Sequence, residues 1–271
     1  MVREMKRSLK NLIRSIFRFF NLGITYYSTL EDLRLKSTAA HDIDILFNFP
    51  ERHSHTLLKY LRRSKSQLRQ DLFVLSKLNF KSKGYFVEFG AASGIELSNT
   101  HLLEKEFGWS GILAEPAKYW HKKLRQNRSC IIHTECVWKD SSSILTFYET
   151  DSAELSTLNV YKNLDHHRND RKSGRAYKVK TISLIDLLRK YNAPKIIDYL
   201  SIDTEGSEYD ILSNFDFSQY TFRVITCEHN FTAMRQKIYQ ILTKQGYKRV
   251  YENLSMFDDW YIKTNKKNLL T

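Results

Sequence analysis

The sequence predicts an α/β fold with a mostly parallel sheet, helices on both faces and an antiparallel hairpin at the C-terminal end. Two observations lead to this prediction. Residues 85–89 form a short apolar run that is closed by Gly90 and Gly94, as expected of a buried parallel strand that ends at a tight turn. From there to residue 246, short apolar runs alternate with stretches of helical periodicity, which favours right-handed strand–helix–strand crossovers.

Helices are predicted where apolar residues recur at spacings of three and four. Residues 24–83 are predicted to be mostly helical by this criterion. Gly108 and Gly246 stand where two later helices should end, as glycine commonly does. The predicted helices after the first strand cover residues 97–107, 118–126, 183–191, 207–214 and 232–245.

Strands are predicted from short runs of apolar and β-branched residues. They cover residues 85–89, 112–114, 129–137, 144–148, 195–202, 222–227, 247–251 and 260–263, and the last two are expected to form the hairpin. Residues 139–180 interrupt the alternation of strands and helices. Their most polar part, residues 165–174, is interpreted either as an insertion near the mouth of a substrate site or as a solvated loop.

Length and composition favour a single catalytic domain. A chain of 271 residues with 42% apolar content can bury one good α/β core, and no linker-like segment divides it. We therefore predict an N-terminal appendage over residues 1–65 and a catalytic domain over residues 66–271. Cys130, Cys136 and Cys227 lie in or beside strand-like runs without metal-ligand spacing, which indicates free thiols and cytoplasmic residence. There is no apolar run of 18 residues, and no cleavable signal peptide is evident.

The formal net charge of +13 is compatible with an anionic partner. Residues 1–20 combine six Lys or Arg with apolar residues at helical spacing, so they predict a basic amphipathic helix. This helix could lie on an anionic membrane surface, at the inner face of the membrane, or pack on the domain or on a partner chain. Nucleic acid is not an expected partner, because no strand carries interleaved base-stacking aromatics.

A glycine turn and a later acidic residue together indicate a cofactor site. The pattern Glu88-x-Gly90-x-x-x-Gly94 departs from the phosphate-cradling Gly-x-Gly-x-x-Gly, because position 92 is Ala, and this favours a cofactor without a pyrophosphate. Glu115 ends the second strand about 25 residues after Gly90, near the spacing at which an acidic residue binds ribose hydroxyls. The motif resembles the first motif of class I S-adenosylmethionine (SAM) methyltransferases; taken alone, it would also fit a tight structural turn.

Polar residues concentrate at the ends of two further predicted strands. Ligands of open α/β sheets bind outside the carboxyl ends of the strands. Asp203 and Glu205 follow the strand over residues 195–202, and Glu228 and His229 follow the strand over residues 222–227. An alternative for the first pair is a helix cap or a first-turn acid that the helix dipole favours.

Six phrases in chain order resemble the FkbM family of SAM-dependent methyltransferases. They are SQLRQDLFVL (66–75), GYFVEFGA (84–91), GILAEP (111–116), VKTISLIDLL (179–188), IDYLSIDTEGSE (197–208) and ITCEHN (225–230). The resemblance runs from about residue 66 to about residue 263. It implies a Rossmann-like class I sheet, SAM as the methyl donor, and O-methylation of a sugar, glycan or polyketide-like hydroxyl.

The resemblance also implies roles for individual residues. Those on the methionine and ribose side of SAM would be Glu88, Gly90, Ala91, Ala92 and Gly94. Glu115 and Pro116 would hold the ribose, and Val137 or Trp138 would lie beside the adenine. Asp203 would face both methionine and acceptor, with Glu205, Glu228 and His229 as the catalytic floor of the acceptor site.

Two mechanisms suit these residues. A carboxylate or His229 could accept the proton of the attacking hydroxyl, or a divalent cation held by Asp203, Glu228 and His229 or Asn230 could lower the pKa of that hydroxyl. We expect metal-free general-base assistance. Two rival functions are a non-catalytic SAM-fold scaffold in a membrane-associated glycan-assembly complex and a nucleic-acid methyltransferase, although the latter's Asn/Asp-Pro-Pro-Tyr and Pro-Cys arrangements are missing from the sequence.

Overall fold

A computed structural model describes residues 27–150, 156–158 and 174–264. The chain forms two compact units, residues 1–44 and 45–271, and the described part of the first unit is helical. The basic segment of residues 1–20 and nearly all of the polar segment of residues 165–174 lie outside the described residues. The predicted division of the chain at residue 65 stays a prediction.

Helices precede the first strand, as the apolar periodicity predicts. They are α1 (Tyr27–Asn48), a 3-10 helix (Glu51–His53), α2 (Ser54–Leu61) and α3 (Gln70–Lys77). Ile45, Phe49 and Leu57 are buried in the same core as Phe73 and Trp260. The helical residues 45–61 therefore contribute to the core of the second unit.

A seven-stranded sheet forms the centre of the second unit. The strands among the described residues are β1 (Tyr85–Phe89), β2 (Ser110–Ala114), β3 (Ile131–His133), β4 (Cys136–Trp138), β5 (Ile144–Thr150), β6 (Thr157–Leu158), β7 (Gly174–Ser183), β8 (Ile196–Ile202), β9 (Thr221–Glu228), β10 (Tyr247–Val250) and β11 (Asp258–Lys263). The large sheet has the order β10-β11-β9-β8-β1-β2-β3. Its pairs from β9 to β3 are parallel, whereas β11 is antiparallel to β9 and β10. The predicted Rossmann-like sheet with a C-terminal antiparallel hairpin is confirmed.

The predicted strand over residues 129–137 is wrong, because the structure divides it into β3 and β4. After His133, whose carbonyl oxygen accepts a hydrogen bond from the Glu115 N–H (3.0 Å), the chain leaves the large sheet. Cys136 then pairs with Thr181 of β7. A second sheet of order β4-β7-β5-β6 results, and it stands in the region where the alternation of elements is interrupted in the sequence.

In the described part of the chain, five helices follow the first strand: α4 (His101–Phe107), α5 (His121–Asn127), α6 (Leu184–Lys190), α7 (Glu208–Ser213) and α8 (Met234–Lys244). Successive side chains of a strand point to opposite faces of the sheet. Val87 and Phe89 accordingly join the core that includes α6, α7 and α8, while Phe86 joins the core that includes α3 and α4. Among the described residues, no helix is long and apolar enough to cross a membrane.

Candidate active site

A cavity of about 330 Å³ lies at the carboxyl ends of β1, β2, β8 and β9. Its wall includes the last residues of these strands or the residues that follow them: Phe89, Gly90, Ala114, Glu115, Asp203 and Glu228. Parallel strands converge here with their loops, which is where open α/β sheets bind ligands. The predicted position of the site thus coincides with a real cavity.

Gly90 allows β1 to end directly against Asp203. Its φ of +75° lies in the left-handed region, and a methyl group in place of its hydrogen would overlap the carbonyl oxygen of Asp203. Gly94 has a φ of +76°, and a methyl group there would lie 2.6 Å from Leu124 Cδ1. Gly90 lines the cavity, whereas Gly94 packs on α5 outside it.

Glu115 is fixed by two backbone N–H groups. Its Oε2 accepts a hydrogen bond from Ala92 N (2.8 Å), and its Oε1 accepts one from Ala117 N (2.7 Å). The side chain is 5% exposed, and burial raises the pKa of its carboxyl to about 7. Each oxygen retains a lone pair, so two ligand hydroxyls can still be accepted. This arrangement fits the predicted role of Glu115 toward a ribose.

The wall beside Glu115 is apolar. Pro116, Cys136, Val137, Phe147 and Leu158 line it, and a flat aromatic base would suit such a surface. Of the two residues predicted to lie near an adenine, the structure places Val137 in the wall. The other, Trp138, lies outside the lining and is buried against Ala117 and Trp120 in a separate small core.

Three acidic side chains, which we call the carboxylate trio, are grouped in the same cavity. One carboxylate oxygen each from Asp203, Glu205 and Glu228 lies within 4.8 Å of the other two. Glu205 has a left-handed backbone with a φ of 58°, an unusual conformation of the kind that accumulates at functional sites. The predicted grouping of these three residues is therefore present.

Burial changes the protonation of two members of the trio, Asp203 and Glu228. It raises the pKa of Asp203 to about 7, with the charges of Glu208 and Glu88 acting in the same direction, although a hydrogen bond with Glu228 opposes the shift. The pKa of Glu228 is also raised well above its usual value, by burial and then by the charge of Asp203. At neutral pH, we expect the two carboxyl groups to share a proton.

Carboxylate oxygens at such short separations could also hold a divalent cation. The set differs from the predicted one, since Glu205 takes the place assigned to His229. Asn230, the other predicted ligand, does line the cavity.

His229 is not in the cavity, and its predicted catalytic role is corrected. Because side chains alternate along β9, Glu228 faces the cavity and the next side chain points away from it. His229 is 4% exposed; its Nδ1 accepts a hydrogen bond from Phe231 N (3.0 Å), and its Nε2 lies 3.8 Å from Asp259 Oδ1. Burial lowers the pKa of the ring, so it is neutral at pH 7.

Glu88 also has a different place from the one predicted. It faces away from the cavity and accepts hydrogen bonds from Asn99 N (2.7 Å), Ser98 Oγ (3.1 Å) and Thr100 Oγ1. Arg128 lies 3.8 Å from it. Glu88 thus holds the segment of residues 98–100 in place. The helix α4 accordingly begins at residue 101 and not at the predicted residue 97. Ala91 is buried and outside the lining, while Ala92, Pro116 and Glu205 line the cavity as predicted.

Several lining residues were missed, among them Gln67, Phe147 and Phe257. Gln67 lies in the phrase SQLRQDLFVL, so the sequence held a signal for it. Phe147 comes from β5, and the interpretation of residues 139–180 as an insertion near the site could have led to it. Phe257 lies in the turn before β11, where its carbonyl oxygen accepts hydrogen bonds from the N–H groups of His229 (2.9 Å) and Asn230 (3.2 Å). No sequence signal marks that contact.

The chain is similar in sequence to one protein family and in structure to several methyltransferases. Residues 88–249 match the Methyltransferase FkbM domain. The methyltransferase FkbM from Methylobacillus flagellatus KT is similar in structure (10% identity, TM-score 0.43, 83% of this chain and 59% of that chain). So are the precorrin-6y C5,15-methyltransferase from Geobacter metallireducens (12%, 0.38, 72% and 86%) and a TehB-like SAM-dependent methyltransferase from Corynebacterium glutamicum (8%, 0.39, 79% and 97%). No curated protein is significantly similar in sequence. Because the matched domain covers more than half of the chain, the protein belongs to the FkbM family of SAM-dependent methyltransferases.

Proposed function

We propose that the protein is an O-methyltransferase that transfers the methyl group of SAM to a hydroxyl of a sugar, glycan or polyketide-like acceptor. One observation carries the proposal: Glu115 and the carboxylate trio line the same cavity. Glu115 follows β2, whereas the trio belongs to the ends of β8 and β9, two and three strands away. A single cavity can therefore hold a nucleoside at one side and a reacting hydroxyl at the other.

The residues present fit SAM. Glu115 retains acceptor capacity for the two ribose hydroxyls, and Val137 and Phe147 offer an apolar wall for the adenine. Gly90, which bears no side chain, lies between Glu115 and Asp203 in the cavity wall and permits close approach to the backbone. When bound, SAM supplies an electrophilic methyl group on a sulfonium.

The trio supports a hydroxyl as the nucleophile. An alcohol must lose its proton as it attacks, and a group with a pKa near the working pH is the most effective base. Burial brings the pKa of Asp203 to about 7, so at neutral pH the Asp203 and Glu228 pair can accept that proton. The pair sits on the ends of two hydrogen-bonded parallel strands, which hold its geometry and help to align the acceptor.

A methyl-transfer assay tests the proposal. Labelled SAM is incubated with neutral glycosides, macrolide-like polyols and RNA and DNA oligonucleotides, with the wild type and with Asp203→Asn. We expect label in a hydroxyl compound, a methyl ether in the product's NMR spectrum, and loss of transfer in Asp203→Asn. SAM binding without transfer to any acceptor would favour the scaffold, and transfer to oligonucleotides alone would favour a nucleic-acid methyltransferase.

A further inference from the structure

The cavity is far more acidic than the chain around it. The chain carries a formal charge of +13. Among the described residues that line the cavity, five are carboxylates and none is Lys or Arg; the five are Glu96, Glu115, Asp203, Glu205 and Glu228. The site therefore presents a local field opposite in sign to the charge of the whole molecule.

Two members of the trio are buried. Glu205 and Glu228 are 7% and 8% exposed, whereas Asp203 is partly exposed and lines the cavity. Glu208 and Asp258 lie behind the trio and are also buried. Glu208 fixes the loop that carries Asp203 and Glu205, since its Oε1 accepts hydrogen bonds from Thr204 N (2.9 Å) and Gly206 N (3.1 Å).

Grouping ionised carboxylates is unfavourable without a positive charge or a shared proton among them. Like charges at this separation repel one another strongly in a medium of low dielectric constant. None of the described cavity-lining residues supplies a cationic side chain. A cationic ligand would relieve the repulsion, whereas a neutral ligand of the same shape would not.

We propose that the carboxylate trio makes the cavity select SAM over its demethylated product, S-adenosylhomocysteine (SAH), by charge. This inference rests on the proposed function, because it takes SAM as the ligand. SAM and SAH share the adenosine and amino-acid parts, and they differ by one methyl group and one positive charge at sulfur. Methyl transfer moves the methyl group to the acceptor oxygen, leaves the bonding electron pair on sulfur, and so removes the charge that the trio attracts. The product is then bound weakly and leaves.

Calorimetry at pH 8, with EDTA present to remove metal ions, tests the proposal. The ligands are SAM, SAH and sinefungin, in which a carbon bearing a protonated amine replaces the methylated sulfur. We expect the wild type to bind SAM and sinefungin about tenfold or more tightly than SAH, because one charged interaction in a buried site is worth at least about one factor of ten. Similar affinities for SAM and sinefungin would show that the preference over SAH depends on the positive charge rather than on the methyl group.

Variants localise the effect. Asp203→Asn and Glu205→Gln should each reduce the SAM-to-SAH affinity ratio toward one, mainly by weakening SAM. The control is Glu51→Gln, which removes the same formal charge from an exposed position outside the cavity lining and should leave the ratio unchanged. Thermal unfolding shows which variants are folded. If one of the two trio variants does not fold, the other still tests the proposal.

Each outcome has one meaning. If neither SAM nor SAH binds the wild type, the proposed function fails. If both bind with equal affinity, or SAH binds more tightly, the charge selection is overturned while the proposed function stands. If Mg²⁺ without EDTA binds the wild type but not Asp203→Asn, and the ratio is the same in both proteins, the trio is a metal site and the inference is wrong.

Discussion

Glu115 and Glu228 are both buried glutamates at strand ends, yet their partners differ. The oxygens of Glu115 accept hydrogen bonds from two backbone N–H groups, so its position is rigid and its charge is partly compensated. Glu228 lies against Asp203, a second carboxyl group, and its protonation depends on that neighbour. The first environment suits recognition of a ligand, and the second suits exchange of a proton.

Glu115→Gln should weaken SAM binding by about ten- to a hundredfold, since a hydrogen bond to a charged group is worth roughly 1.5–3 kcal/mol. The amide keeps the shape of the side chain. Its NH₂ group, however, would face a backbone N–H, so that two hydrogen-bond donors would oppose each other. Calorimetry on the folded variant measures the change. Unaltered affinity would remove Glu115 from the cofactor site.

Asp203→Asn and His229→Ala should act on different properties. Loss of the base should lower kcat by about 10²–10⁴-fold in Asp203→Asn. Because His229 lies outside the cavity, its replacement should lower kcat by less than about tenfold and should cost roughly 1–3 kcal/mol of stability through the unpaired Phe231 N–H. Steady-state kinetics and urea denaturation separate the two effects. A larger loss of kcat in His229→Ala would restore the ring to the mechanism.

At the scale of elements, the turn after β1 holds two strand ends together. Gly90→Ala should abolish SAM binding and destabilise the fold, because the added methyl group overlaps the Asp203 carbonyl at a φ of +75°. Gly108→Ala is the matched control: its φ is +64°, nothing lies within 4 Å of the new methyl group, and only the strain of about 1–2 kcal/mol should remain. Equal effects of the two substitutions on SAM affinity would contradict this account of Gly90.

The central strands were predictable because buried parallel strands are short continuous apolar runs. Residues 129–137 were misassigned because pairing of Cys136 with Thr181 is a long-range choice that no local pattern encodes. The alternation of side chains along a strand could have predicted the positions of Glu88 and His229. Each is adjacent in sequence to a residue that lines the cavity, so its own side chain should point to the other face of the sheet. The grouping of Asp203, Glu205 and Glu228 followed from the rule that ligands bind at strand ends.

At the scale of the whole molecule, buried carboxyl groups should make the apo-protein less stable in mild alkali. Burial raises the pKa of Asp258 to about 8 and that of Glu115 to about 7, whereas these groups titrate near 4 in an unfolded chain. Between about pH 6.5 and 8.5 the folded protein thus holds protons that the unfolded chain has lost, and the free energy of unfolding falls as pH rises. Histidines with lowered pKa values titrate near pH 6.5 in the unfolded chain and oppose the trend there, but between about pH 7.5 and 8.5 they are neutral in both states.

Urea denaturation at about pH 7.5 and pH 8.5, where the histidines are neutral, checks the sign. The midpoint should be lower at the higher pH, and Asp258→Asn, which keeps the side-chain shape, should reduce the difference. A midpoint that is constant or that increases toward high pH would be incompatible with protonated carboxyl groups in the folded state.

Residues 1–20 are predicted to bind anionic membranes. Full-length protein should float with anionic vesicles at low salt and less so at physiological salt, where charges are screened within about 8 Å. Deletion of residues 1–20 should abolish flotation. Flotation that survives the deletion would assign the binding elsewhere, and aggregation of the deletion protein would indicate that the segment packs on protein.

The central claim is that one cavity binds SAM through Glu115 and presents its sulfur to the carboxylate trio. A crystal structure of the complex with SAH tests it most directly. We predict ribose hydroxyls within about 2.5–3.2 Å of the Glu115 carboxylate, adenine against Val137 and Phe147, and sulfur facing Asp203, Glu205 and Glu228. SAH in another cavity, or with its amino-acid end at Glu115, would contradict the account.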